Sequence, residues 1–180
     1  MLTGVIKERF SRHHDQLLAY MDALEEVVRE LSESKNPAES FSQNEPVLNR
    51  LFDFLDSWEI QHEMEEERLL LPMLKRELKP DLDAAALESL EQISREHVQG
   101  QSLVKSLHRK LKDFMETPRE DAPEYYKLSS ELNELVWHFR RHVWSENEKI
   151  LPIADRLIPK AADRPWTQTS KVSHTEPSDE

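Results

Sequence analysis

Two stretches of the chain carry the same chemistry-bearing residues at the same spacing. His62, Glu66 and Leu70-Leu71-Pro72 recur as His142, Glu146 and Ile150-Leu151-Pro152, so both read H-x-x-x-E-x-x-x-[LI]-L-P. At about 3.6 residues per turn, a His and a Glu four apart stack on one helix face. Each copy therefore aims an imidazole and a carboxylate at one point, a donor pair suited to a metal ion. His14 and His97 add one imidazole to each copy. The His14-to-His62 interval nearly equals the His97-to-His142 interval, so the chain reads as two halves around a pseudo-twofold centre.

The elements that position these residues are helices. A chain of 180 residues suffices for one domain with a real core. Two glycines and a 33% charged content argue for long solvated helices rather than a turn-dense β fold. A formal net charge of -12 disfavours nucleic acid and anionic membrane surfaces as partners. With no cysteine, disulfides, thiolate zinc sites and iron–sulfur clusters are excluded. No apolar run approaches the ~20 residues of a membrane span, and charges fall where a signal peptide needs its apolar run. A cytoplasmic location is the expectation.

Apolar residues at three- and four-residue intervals predict helix one over about Thr3 to Ser34, with His14 in the stripe between Phe10 and Leu17. Lys35 to Asn44 reads as a loop, with Asn44-Glu45-Pro46 starting helix two. Its predicted inner face carries Leu51, Phe54, Leu55, Trp58, His62, Leu69 and Met73, and Pro72 predicts a kink or stop. Helix three carries Leu90, Ile93, His97, Gly100 and Val104, and helix four carries Leu135, Phe139, His142, Glu146, Ile150 and Ile153. Short connections predict an all-α, antiparallel up-down-up-down four-helix bundle over residues 1–160, followed by a disordered polar tail over 161–180. Counted along the rods, the four histidines fall in one layer.

One histidine on an apolar stripe is more often a satisfied core residue than a ligand. Four in one layer with two in-phase glutamates are different. Burying ionised carboxylates costs on the order of several kcal/mol each unless they are paired or metal-bound, and no Lys or Arg falls in the core phase. Six donors are too many for one tetrahedral zinc. Two carboxylates facing each other across a pseudo-twofold suit a bridge between two ions, with imidazoles outside, and this donor set suits iron or manganese.

At these residues the chain resembles the hemerythrin-like HHE cation-binding family over about residues 3 to 160. The resemblance implies a four-helix bundle holding two non-haem iron ions, ahead of manganese or zinc. Its implied metal residues are His14, His62, Glu66, His97, His142 and Glu146, with both Glu as bridges. Gln101 stands where the family's oxygen carriers have a further His, which leaves one coordination position open. Glu63 and His138 are each candidates for a further ligand or for a neighbouring, non-ligating role.

The implied function is binding or sensing of dioxygen or a related small molecule such as peroxide or nitric oxide. The alternatives are a redox enzyme, disproportionating peroxide or oxidising iron, and an iron-sensing module. Gly100, three residues after His97, leaves room either for a small ligand or for close helix packing. Trp137 and Trp144 lie about 200° away from the ligand face, an expected homodimer surface. His13, His108 and His174 fall off the stripe and are expected to be solvated.

Overall fold

The computed structural model describes residues 2–117 and 122–162. Helix α1 is Leu2–Glu33. Helix α2 runs through Pro37–Phe54, a π-turn at Leu55–Glu59, Ile60–Glu65, a second π-turn at Glu66–Leu70, and Leu71–Glu77. Helix α3 is Ala84–Glu116, and α4 joins Ala122–Ser145, a π-turn at Glu146–Ile150, and Leu151–Ala162. There is no strand among the described residues. Helices α1 and α3 each pack along α2 and α4, so the rods form the antiparallel bundle that the short connections require. The expectation of a tail falls mostly on residues 163–180, which lie outside the described residues; Ala161 and Ala162 continue α4.

Two local expectations are overturned. Lys35 to Asn44 is not a loop: α2 starts at Pro37, with the Asn36 side chain accepting from the Glu39 amide and Pro46 inside the helix. Pro37 takes the first turn, where its missing N–H costs nothing. The added turns close one end of the bundle, where Phe41 packs on Phe114 of α3 and Tyr125 of α4. The predicted inner face of α2 is also wrong in part, because Trp58 and Leu69 are exposed while Glu59 and Leu70 are buried. Each π-turn inserts one extra residue, so the 3.6-residue phase slips by one position.

The same insertions settle how Pro72 and Pro152 are accommodated. Both prolines follow a π-turn by two residues, and the helix continues beyond them. The ladder is already opened at the point where proline cannot donate. Both copies of the repeated motif thus place their glutamate at the first residue of a π-turn.

Two apolar clusters hold the rods together. One contains Leu17, Met21, Leu24, Leu55, Val104, Leu132, Phe139 and Val143. The other contains Phe10, Leu70, Leu71, Leu74, Ile93, Ile150 and Leu157. The polar layer lies between them in chain position on every rod: His14, His62 and His97 each stand between a residue of one cluster and a residue of the other, and on α4 Glu146, one turn after His142, does so between Val143 and Ile150. Each fully buried Leu or Phe contributes roughly 1.5–3 kcal/mol, so the clusters can carry a layer that costs stability.

Candidate metal centre

All six predicted residues meet in that layer, and all are buried. Glu66, His97, His142 and Glu146 form one group whose donor atoms lie within 4.8 Å of one another, and His14, His62 and Glu146 form a second. Glu146 belongs to both. His14 Nε2 is 2.7 Å from Glu146 Oε2, while His142 Nε2 and His97 Nε2 are 3.2 Å and 3.6 Å from Glu146 Oε1. Glu66 approaches His62 Nε2 at 3.4 Å and His97 Nε2 at 3.0 Å.

These contacts are short but are not hydrogen bonds. The Nε2 atoms of all four histidines, and both oxygens of Glu66 and of Glu146, are buried without a hydrogen-bond partner. Their donor directions converge on shared space instead of on each other. Leaving such atoms unsatisfied costs about 1–3 kcal/mol each. Two donors at about 2.1 Å from one ion stand about 3.0 Å apart at right angles and about 3.4 Å apart tetrahedrally, in the middle of the 2.7–3.6 Å range of these contacts. Among the described residues no Lys or Arg pairs with Glu66 or Glu146. The residues therefore fit metal ions, by both donor chemistry and orphaned atoms.

Groups behind the histidines orient them. His14 Nδ1 is 3.0 Å from Asn147 Oδ1, His97 Nδ1 is 2.8 Å from Glu67 Oε1, and His142 Nδ1 is 3.4 Å from Glu96 Oε2. An Nδ1–H donated to these oxygens leaves Nε2 as the free donor. His62 is instead covered by the His13 ring, with centroids 3.9 Å apart, and His13 Nε2 is 2.7 Å from Glu59 Oε2. The first π-turn is what brings Glu59 inward. His13 is thus half-buried and engaged, contrary to the expectation that it is solvated. His108 is paired with Asp56 and packs on Phe52, and His174 lies outside the described residues. Sequence reasoning missed Glu59, Glu67, Glu96 and Asn147. Aligning the two halves exposes three of them: Glu67 and Asn147 each follow the motif glutamate, and Glu96 precedes His97 as His13 precedes His14.

Glu63 and His138 are buried but stand outside both donor groups. Gln101 Nε2 donates to Glu63 Oε2 at 2.7 Å. The space beside Gly100 is filled by His138, whose Nε2 would lie 2.8 Å from a Cβ at that position. Of the two expectations for Gly100, close packing is the one seen.

Without metal, the charges in the layer are unequal. Burial, and then the charge of Glu146, push the Glu66 carboxyl well above its usual range. Burial would also raise Glu146, but the charge of His142 and the approach of His14 and His97 hold it well below. Burial lowers His97 as well, yet the flanking Glu146 and Glu66 raise it to about 10. Burial and the neighbouring His13 lower His62 to about 3.

A cleft of about 400 Å³ between α1 and α2 reaches this layer from outside, with Arg9, Arg12 and Trp58 on its walls and His13 and His62 at its base. No helix among the described residues is long and apolar enough to cross a membrane. Comparison with curated proteins and with solved structures found no match. The family model described as hemerythrin HHE cation binding domain matches residues 5–154, and with that span covering the whole donor layer, the chain belongs to that family.

Proposed function

We propose that this chain is a cytoplasmic non-haem di-iron protein that binds or senses dioxygen, or a related small ligand such as peroxide or nitric oxide. The observation that carries the reading is the set of eight orphaned donor atoms in two groups sharing Glu146. His14 and His62 would hold one ion together with Glu146, and His97 and His142 the other together with Glu66 and Glu146, so that Glu146 would serve both. Iron there supplies reversible one-electron chemistry and positions open to a small ligand. Gln101, at the position of the oxygen carriers' further His, gives its amide to Glu63, so the chain leaves coordination open. The two apolar clusters exclude water above and below the layer.

The test is metal content and optical spectrum of the purified, iron-reconstituted protein, with and without dioxygen or nitric oxide. A reversible spectral change at about two irons per chain is expected. Zinc alone, or no metal, would sink the di-iron reading. Rapid oxidation with sustained peroxide turnover would replace the binding reading with a redox enzyme.

We also propose that Trp137 and Trp144, exposed on the outer side of α4, form part of a homodimer face. Their exposure on one helix supports it, and solution mass is the check.

A further inference from the structure

The two halves of the centre are not equivalent, although the repeat makes their donors look so. At each pair of repeat-related positions behind the histidines, one half carries a carboxylate and the other does not. Glu67 backs His97 at 2.8 Å, whereas its counterpart Asn147 backs His14 at 3.0 Å. Glu96 backs His142 at 3.4 Å, whereas its counterpart His13 lies flat on His62. A carboxylate that accepts from Nδ1–H makes the imidazole a stronger metal donor, while a neutral amide does so less and a stacked ring supplies no acceptor charge.

Two further observations point the same way. The group around His97 and His142 converges four donors, two of them carboxylates, whereas the group around His14 and His62 converges three, with Glu146 as its carboxylate. The cleft between α1 and α2 is lined by His62 and by no residue of the group around His97 and His142, so it offers solvent and competing ligands an approach to the second group and not to the first.

We propose that the two positions are inequivalent by construction: the one formed by Glu66, His97, His142 and Glu146 takes a divalent cation first and holds it more tightly, and the one formed by His14, His62 and Glu146 is the exchangeable position. Glu67 and Glu96 are positioning residues for the first, and Asn147 marks the second. The asymmetry rests on the dinuclear reading above, and its failure can be told apart from failure of that reading.

The full metal-free chain is titrated with cobalt(II) in competition with a chromophoric chelator, and the visible cobalt bands are followed at each step. Two sequential binding constants at least about tenfold apart are expected. Asn147→Asp gives the His14 imidazole the carboxylate its counterpart already has. It should tighten the second constant about tenfold, with little change in the first. The reverse exchange, Glu67→Asn, should weaken the first constant by a similar factor and serves if Asn147→Asp does not fold by circular dichroism. Two indistinguishable constants in the unaltered chain, or exchanges that move the wrong step, overturn the inequivalence while leaving two ions bound. A single cobalt per chain under every condition overturns the dinuclear reading itself.

Discussion

The two copies of the repeated motif share backbone and differ in surroundings. In both, the glutamate opens a π-turn and a Leu-Pro pair follows it. Yet Glu146 lies against His14, His97 and His142, while Glu66 lies against His62 and His97. The residue after the histidine is the buried Glu63 in one copy and the buried Val143 in the other. A repeat can therefore place equivalent donors by backbone geometry alone, while non-equivalent neighbours set what each donor does.

The largest expected effect separates the two glutamates. Glu146 serves both donor groups and Glu66 one, so if the proposed di-iron centre holds, the isosteric change Glu146→Gln should reduce bound iron from about two per chain towards none, while Glu66→Gln should retain about one. Elemental analysis of the purified variants measures this. Equal losses from both would break the distinction between the copies.

Removing metal comes next. The buried Nε2 atoms and the Glu66 and Glu146 oxygens, which have no hydrogen-bond partner, then lose the ion that would satisfy them, so metal binding and folding free energy are linked. Chelation should cost several kcal/mol, a fall in Tm of roughly 10 °C or more for a chain of this size. Calorimetry with and without chelator provides the check, and an unchanged Tm would mean that the layer is satisfied without an ion.

The metal-free chain should also show a stability maximum between acid and alkaline pH. His97 is raised to about 10 from an ordinary 6.5. Its stabilising contribution is fully present below pH 6.5 and is lost as pH rises through about 10. His62, lowered to about 3, acts oppositely: the unfolded chain takes up a proton near 6.5 that the folded one refuses, so stability is lost from there down to about 3. Denaturant midpoints across this range test both limbs. Bound metal should flatten the alkaline limb, because His97 is then held as a neutral donor.

Most of the bundle and all six converging donors were legible because they depend on short-range periodicity. His14 could be placed between Phe10 and Leu17, and His97 between Ile93 and Val104, from spacing alone. What was not legible came from single-residue insertions and from contacts between rods. Trp58 and Leu69 sit on the predicted inner stripe, and only the π-turns rotate them outward and bring Glu59 and Leu70 in. Nothing in the local sequence announces a π-turn, since its cost is repaid by tertiary placement of Glu66 and Glu146. Glu96 and Glu67 looked like two more acidic residues on charged helices, and it takes the neighbouring rod to show that each backs a histidine. Of the two expectations for Gly100, room for a small ligand was not met and close packing was, with His138 of another helix as the packed side chain.

That occupant makes a smaller test of the environment around Glu63. Gly100→Ala should gain about 1 kcal/mol of helix propensity. Its Cβ would also stand 2.8 Å from His138 Nε2 and 3.7 Å from Glu63 Oε1, and overpacking of this kind costs about 1–3 kcal/mol. The net expectation is a loss of about 1 kcal/mol, a few degrees in Tm. Iron content should hold, since neither His138 nor Glu63 belongs to a donor group. A stabilised variant would show that His138 moves aside freely.

The smallest effect on the fold lies on the outer faces of the two copies. Trp144 is 56% exposed, with the Lys149 ammonium 5.5 Å from its ring centre, and its counterpart Met64 is 37% exposed. Trp137, a heptad earlier on α4, is 65% exposed. Exchanging both indoles for serine removes little buried surface, so Trp137→Ser/Trp144→Ser should change stability by only about 0.5 kcal/mol per site. If these rings meet their equals in a second chain, the same variant should fall from dimer to monomer by light scattering, with metal content unchanged. Met64→Ser on the other copy should leave the mass as it was. An unaltered mass in the double tryptophan variant would remove the dimer face and leave the indoles as surface side chains on the half of the repeat that carries Glu146.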